Sequence, residues 1–131
     1  MTATVDDLLV RERIRRVGPH ELAAVLGRGG LVIDIRPESL RAQQGELPGA
    51  LVVERNVLEW RLDPASPDRL PQVTGHDREV VVVCSEGYAS SMAAATLVDL
   101  GYQRAGDLVG GYLAWRSWFA AGQHKISAAE A

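Results

Sequence analysis

The sequence of 131 residues contains one cysteine, Cys84. A single thiol forms no internal disulfide and excludes a zinc site built on several thiolates. Lysine is equally scarce, with Lys125 the only one. No apolar run approaches the length of a transmembrane helix, so no membrane span is expected. The opening MTATVDDLLVRER carries acids and lacks the long apolar core of a secretory leader. A net charge of −3 leaves no footprint for nucleic acid or an anionic membrane. His20, His76 and His124 are scattered without ligand spacing, so neither a metal nor another cofactor is expected. With a lone thiol, a reducing cytoplasm is the simplest location. Internal repeats and low-complexity linkers are also missing.

What is present suffices for one domain with its own core, since 47% of the residues are hydrophobic and 24% charged. Residues 1–13 form a polar arm in which Leu8, Leu9 and Ile14 share a helical face; the arm packs on the domain or frays. Residues 14–122 carry the regular pattern, and 123–131 read as a flexible tail. Extended residues Ile14–Val17 precede Gly18-Pro19, where proline opens a helix to about Leu26. Leu31–Ile35 is a short, nearly all-apolar run, the signature of a buried parallel strand. A helix over 38–44 follows, then a strand at Ala50–Val53 and a helical turn at Asn56–Trp60. Pro64, Pro67 and Pro71 make residues 61–78 a surface loop. Glu79–Val83 is the central strand. Helix Ser90–Leu100, strand Ala105–Leu108 and helix Tyr112–Ala121 complete the chain, with Trp115, Trp118 and Phe119 at core-like helical spacing. This alternation predicts an α/β fold, a mainly parallel sheet with helices on both faces.

Ligands in such sheets bind at the carboxyl ends of strands, and Cys84 ends the central one. In VVVVCSEGYASS the chain turns from strand to helix. Gly87 supplies a positive φ, the turn aims several N–H groups into one concavity, and the next helix adds its positive end. Ser90 and Ser91 read as caps for that helix. The same donors would hold a sulfur anion, thiolate or persulfide, in this cradle. A lone cysteine ending a valine run is also ordinary core filler, so the loop alone leaves both readings open.

Four segments in order resemble the rhodanese family of single-domain sulfurtransferases. They are Ile33-Asp34-Ile35-Arg36, Gly45-Glu46-Leu47-Pro48-Gly49-Ala50, Val83-Cys84-Ser85-Glu86-Gly87-Tyr88-Ala89-Ser90, and Asp107-Leu108-Val109-Gly110-Gly111 running on to Trp115. The resemblance implies a rhodanese-like fold and ping-pong transfer of sulfane sulfur through a persulfide on Cys84. A small sulfur donor and a thiol-type acceptor, whether a small thiol or a thioredoxin-like protein, are the implied partners. Ser85, Glu86, Gly87, Tyr88, Ala89 and Ser90 would form the active-site loop, braced by Asp34 and Arg36.

The chain departs from the family pattern at several points. Ala89 stands where many members carry arginine, and Glu86 adds an acid. Like charges about 4 Å apart repel by roughly 1 kcal/mol in water and about 4 near a protein surface, which disfavours a dianionic donor such as thiosulfate. Arg41 occupies a place the family gives to an acid, so Arg36 is expected to pair with Glu46, Glu38 or nothing. Arg55, Trp60 and Arg61 are candidates for a replacement anion clamp, against the plainer reading of surface arginines and a core tryptophan. A partner-binding module without catalysis and a Cys-loop phosphatase are the competing functions. The phosphatase lacks its phosphoryl-clamping arginine at Ala89.

Overall fold

The computed structural model describes residues 2–9 and 11–130, with the side chains of 123–130 outside the description. The short arm helix α1 (Val5–Leu9) leads through a 3-10 turn at Arg11–Arg13 into β1 (Arg15–Val17). Then follow α2 (Leu22–Gly27), β2 (Leu31–Asp34), α3 (Glu38–Gln44), β3 (Leu51–Val52), α4 (Leu58–Leu62), β4 (Val80–Val83), α5 (Ala89–Leu100), β5 (Ala105–Leu108) and α6 (Gly111–Glu130). All strand pairs are parallel, and the sheet order is β1-β5-β4-β2-β3. The expected α/β architecture is therefore present, with β4 at the centre.

The four valines of β4 explain that position. Successive strand side chains point to opposite faces, so a run of valines suits a strand covered on both sides. Val80 and Val82 enter a core with Leu58 and Leu62 of α4 and Leu97 of α5. Val81 and Val83 enter the opposite core with Leu22 and Val25 of α2 and Tyr112 of α6. Register pairs Val83 with Asp34 and Val82 with Asp107. Parallel pairing thus carries Cys84 and both acids to the same, carboxyl edge of the sheet.

The boundaries shift by a few residues where local signals are weak. Pro19 opens a 3-10 turn over Pro19–Glu21 before α2 begins, and β3 keeps only two paired residues. The arm packs against α5, with Leu9 buried and Arg13 paired to Asp99. Of the three aromatic residues of α6 expected in the core, Trp115 packs against it half-buried, whereas Trp118 and Phe119 are exposed, and Phe119 stacks on Trp115. Only the first turn of α6, at Tyr112, is deeply covered by the sheet. The tail expected over 123–131 falls where side chains and residue 131 lie outside the described residues; the backbone to Glu130 continues α6. Among the described residues, no helix is long and apolar enough to cross a membrane.

Candidate active site

Cys84 leaves β4 and is 8% exposed, at the floor of a pocket of about 300 Å³. Its Sγ accepts the backbone N–H of Gly87 at 3.1 Å and of Ser90 at 3.4 Å. Ser90 Oγ lies 3.2 Å from the sulfur, accepting the thiol hydrogen. Gly87 turns the chain at φ +88, a conformation that costs glycine little. The N–H groups of Glu86, Tyr88 and Ala89 have no hydrogen-bond partner among the described residues, so the loop that carries the sulfur retains unpaired donors.

The loop is held from beneath by the Gly110-Gly111 hinge. A Cβ on Gly111 would stand 2.6 Å from the backbone of Ser85, closer than atoms pack. Its absence lets the two backbones meet, and Tyr112 N–H donates to the Cys84 carbonyl at 2.8 Å while Leu113 N–H donates to that of Ser85 at 3.1 Å.

Ser90 and Ser91 do not cap α5 as expected. The N-cap position is Tyr88, with no side-chain capping bond. Both serines are fully buried and donate instead to Asp107 Oδ2, at 2.8 and 2.7 Å. Asp107 is itself inaccessible and paired to Arg16, whose Nε donates to Oδ1 at 3.0 Å. A buried carboxylate with three donors outweighs local capping preference, because an unpaired buried charge is far costlier than an unfilled cap. Asp107 and Arg16 are site residues that the sequence reading missed. Asp107 lies inside a quoted segment, but nothing local marks it as the partner of two serines on another element.

Asp34 and Arg36 form one buried unit. Arg36 is 2% exposed and grips the Asp34 carboxylate with Nη2 at 2.7 Å and Nε at 3.1 Å. Its guanidinium lies 3.9 Å from the centre of the Tyr112 ring and donates to the Gly45 carbonyl. The expectation that Arg36 pairs with Glu46, Glu38 or nothing is therefore corrected: Asp34, two positions back at the end of β2, supplies the anion. Glu46 pairs with Arg41 instead, at 3.1 Å. Arg36 also donates to Gln44 Oε1 at 3.2 Å, which fixes the Gln44 amide so that its Nε2 donates to Ser85 Oγ at 2.8 Å. Gln44 is a third residue the sequence reading missed.

The pocket wall is largely apolar, with Ile35, Pro37, Leu40, Tyr88 and Ala89 around Cys84. Glu86 and Ser85 also line it, and Glu86 is exposed at the rim. Of the proposed clamp, only Arg55 lines the pocket, and it is paired with Glu59 at 2.9 Å. Trp60 is 59% exposed, neither core nor wall, because its position on α4 faces away from Leu58 and Leu62. Arg61 donates to the Asp68 carbonyl and is likewise absent from the wall.

A cysteine that follows the central strand and accepts two backbone N–H groups, at the carboxyl edge of a doubly covered parallel sheet, places the chain among the α/β domains with a cysteine-bearing strand-to-helix loop. Within that class the chain belongs to the rhodanese-like domain family, whose model matches residues 18–117. It is 31% identical over 106 residues to the thiosulfate sulfurtransferase GlpE of Pseudomonas entomophila, covering 80% of this chain and 87% of that one. It is 32% identical over 102 residues to an adenylyltransferase and sulfurtransferase of Candida albicans, but spans only 23% of that protein's length against 76% of its own. A solved structure from Rhodopseudomonas palustris, of unknown function and described as a possible tyrosine phosphatase, superposes with a TM-score of 0.79 at 27% identity, covering 89% of this chain and 92% of that one. The human single-domain sulfurtransferase superposes at 0.65 with 27% identity, covering 78% and 95%.

Proposed function

We propose that this chain is a sulfurtransferase that moves sulfane sulfur from a small donor to a thiol acceptor through a persulfide on Cys84. The observation that carries the reading is the sulfur at the floor of an open pocket, accepting the N–H groups of Gly87 and Ser90. Core filler has no need of a cradle or an opening. Relatives named sulfurtransferases agree with this reading.

In the first step the Cys84 thiolate attacks the outer sulfur of the donor. A new S–S bond forms, the donor's bond to that sulfur breaks, and its electron pair departs with the leaving group. The resulting persulfide anion extends toward the free N–H groups of the loop, which stabilise it as an oxyanion hole stabilises oxygen. In the second step an acceptor thiolate attacks the outer sulfur and takes it, and the Cys84 thiolate returns with the bonding pair. A reducing compartment such as the cytoplasm keeps the resting thiol free. A thioredoxin-like protein fits as an acceptor, as does a small thiol.

The pocket favours a donor with little charge. Its walls are apolar, Arg36 is spent on Asp34, Arg55 is shared with Glu59, and Glu86 places an acid at the mouth. 3-Mercaptopyruvate, a monoanion, should therefore load Cys84 faster than the dianion thiosulfate. The phosphatase reading draws on the description of the Rhodopseudomonas neighbour. Against it, residue 89 is alanine, and among the described residues the two arginines that line the pocket are both paired, Arg36 with Asp34 and Arg55 with Glu59.

The test exposes the protein in parallel to thiosulfate, 3-mercaptopyruvate and glutathione persulfide, then records intact mass before and after reductant. The expected result is a reducible gain of one sulfur atom that vanishes in Cys84→Ser. No adduct from any of the three donors, or steady turnover of p-nitrophenyl phosphate, would overturn the proposal.

A further inference from the structure

The loop itself carries no cation, yet two arginines reach it from outside the segment that the family model matches. Arg11 Nη2 donates to the Gly87 carbonyl at 2.9 Å, and Arg16 Nη2 donates to the same oxygen at 3.3 Å. Neither lines the pocket. Both therefore hold the loop from its far side.

The geometry of one peptide unit says what this does. The Gly87–Tyr88 peptide is trans, so the Tyr88 N–H points opposite to the Gly87 carbonyl. With the carbonyl fixed on the arginines, neither of which lines the pocket, that N–H is directed away from them. It has no partner among the described residues. A glycine next to this peptide leaves it free to flip, because glycine accepts either sign of φ. Two guanidiniums on the carbonyl oxygen prevent the flip. They also polarise the peptide, which strengthens its N–H as a donor to an anion.

Of the two, Arg11 supplies net charge. Arg16 is neutralised by Asp107, whereas Arg11 has no carboxylate partner among the described residues. Arg11 is held at three points: on the Gly87 carbonyl, through Nε to Ser91 Oγ at 3.1 Å, and over the Tyr88 ring at 5.4 Å. Its backbone is anchored by the buried Leu9 and by the Arg13–Asp99 pair to α5.

We propose that Arg11 and Arg16 are positioning residues that lock the Gly87–Tyr88 peptide with its N–H toward the pocket, and that Arg11 replaces the cation absent from the loop. The arm that precedes the family segment is thereby part of the working site. This rests on the reading of Cys84 as a nucleophile in an anion cradle.

The test is alkylation of Cys84 by iodoacetate, an anion, and by iodoacetamide, its neutral analogue. In Arg11→Met the iodoacetate rate should fall about fivefold and the iodoacetamide rate by less than about twofold, while the far-UV spectrum and Tm hold. Arg11→Lys should recover part of the selectivity. Equal slowing of both reagents, or an unchanged ratio, overturns the proposal. A second arm needs no variant: raising salt in the native protein screens the nearest net charge. A falling iodoacetate-to-iodoacetamide ratio marks a cationic field and agrees with Arg11. A rising ratio marks Glu86 as dominant and overturns the proposal, even if Arg11→Met fails to fold. Neither arm uses sulfane sulfur. A protein that takes no sulfur from any donor but shows the ratio change keeps this inference and loses the proposed function.

Discussion

The hydroxyl oxygen of Ser90 lies 3.2 Å from the sulfur of Cys84, and its single hydrogen is directed to Asp107 at 2.8 Å. Asp107 has two further donors in Ser91 and Arg16. The Ser90 hydrogen is therefore free to swing to the sulfur once that atom becomes anionic, and the carboxylate stays satisfied. Ser90→Ala removes one donor to the anion and leaves the two N–H groups. Persulfide formation in a single turnover should slow by about tenfold, the equivalent of ~1.4 kcal/mol, a usual value for one hydrogen bond to a charged group. If Ser90→Ala loads sulfur as fast as the native protein, the hydroxyl serves packing alone.

Asp107→Asn should destabilise the fold more than it alters the pocket. Asparagine keeps the shape but offers one acceptor where two serines and Arg16 donate, and turns an NH2 toward a donor. Breaking a buried pair on one side costs about 2–4 kcal/mol, discounted here because Arg16 retains some access to water. The urea midpoint measures this directly. A midpoint within error of the native protein would show that the carboxylate charge is not needed to hold β1, β5 and α5 together.

The parts of this molecule that the sequence made readable are those with local causes. VVVV reads as a doubly buried strand because valines on both faces need cover on both faces, and Cys84 follows at its end. Asp34 and Arg36 read as a bracing pair of positions, although the identity of their contact did not, since Glu38 lies as near to Arg36 in sequence as Asp34 does and Glu46 competes from the next turn. Asp107 contacts serines 16 and 17 positions away, and Arg11 reaches Gly87 across 76. Those meetings depend on β5 lying between β1 and β4, and no local periodicity encodes strand order. Ser90 and Ser91 misled for the same reason: capping is a local rule, and a distant carboxylate overrode it.

Glu79 closes the opposite edge of the sheet and sets the acid limb of stability. Its carboxylate is 3% exposed and is gripped by Arg28 at 2.8 and 2.9 Å and by Arg15 at 2.9 Å. The hydrogen bonds from Arg28 hold it below its ordinary value of 4.5, in spite of burial. A depressed folded-state value means that the unfolded chain binds the proton more readily. The stabilisation is therefore complete above the ordinary value and is lost as pH falls through the lower, folded value. Native Tm should decline below about pH 5, and Glu79→Gln should lower Tm by a few degrees at neutral pH while flattening that decline. Sulfur loading at Cys84 should be unaffected at neutral pH, since this cluster lies at the far edge. An acid limb equally steep in Glu79→Gln would assign the decline to other carboxylates.

Gly111→Ala tests whether the hinge sets the loop. The residue sits at φ +68, where a side chain is strained, and the new Cβ would meet the Ser85 carbonyl carbon and oxygen at 2.6 Å and the Cys84 carbonyl oxygen at 2.7 Å. All three are backbone atoms, so no rotamer relieves the contact. The helix start must retreat, and with it the bonds from Tyr112 and Leu113 that hold the Cys84 and Ser85 carbonyls. The cost should be about 3 kcal/mol or more, read as a lowered urea midpoint. Sulfur loading of the fraction that remains folded should fall as well, because the cradle N–H groups move with those carbonyls. A control further along the same helix, Gly122→Ala, has open space at its Cβ; it should raise the urea midpoint slightly, because alanine favours the helix, and leave sulfur loading unchanged. If Gly111→Ala matches that control, the close approach of hinge and loop is not what positions the sulfur.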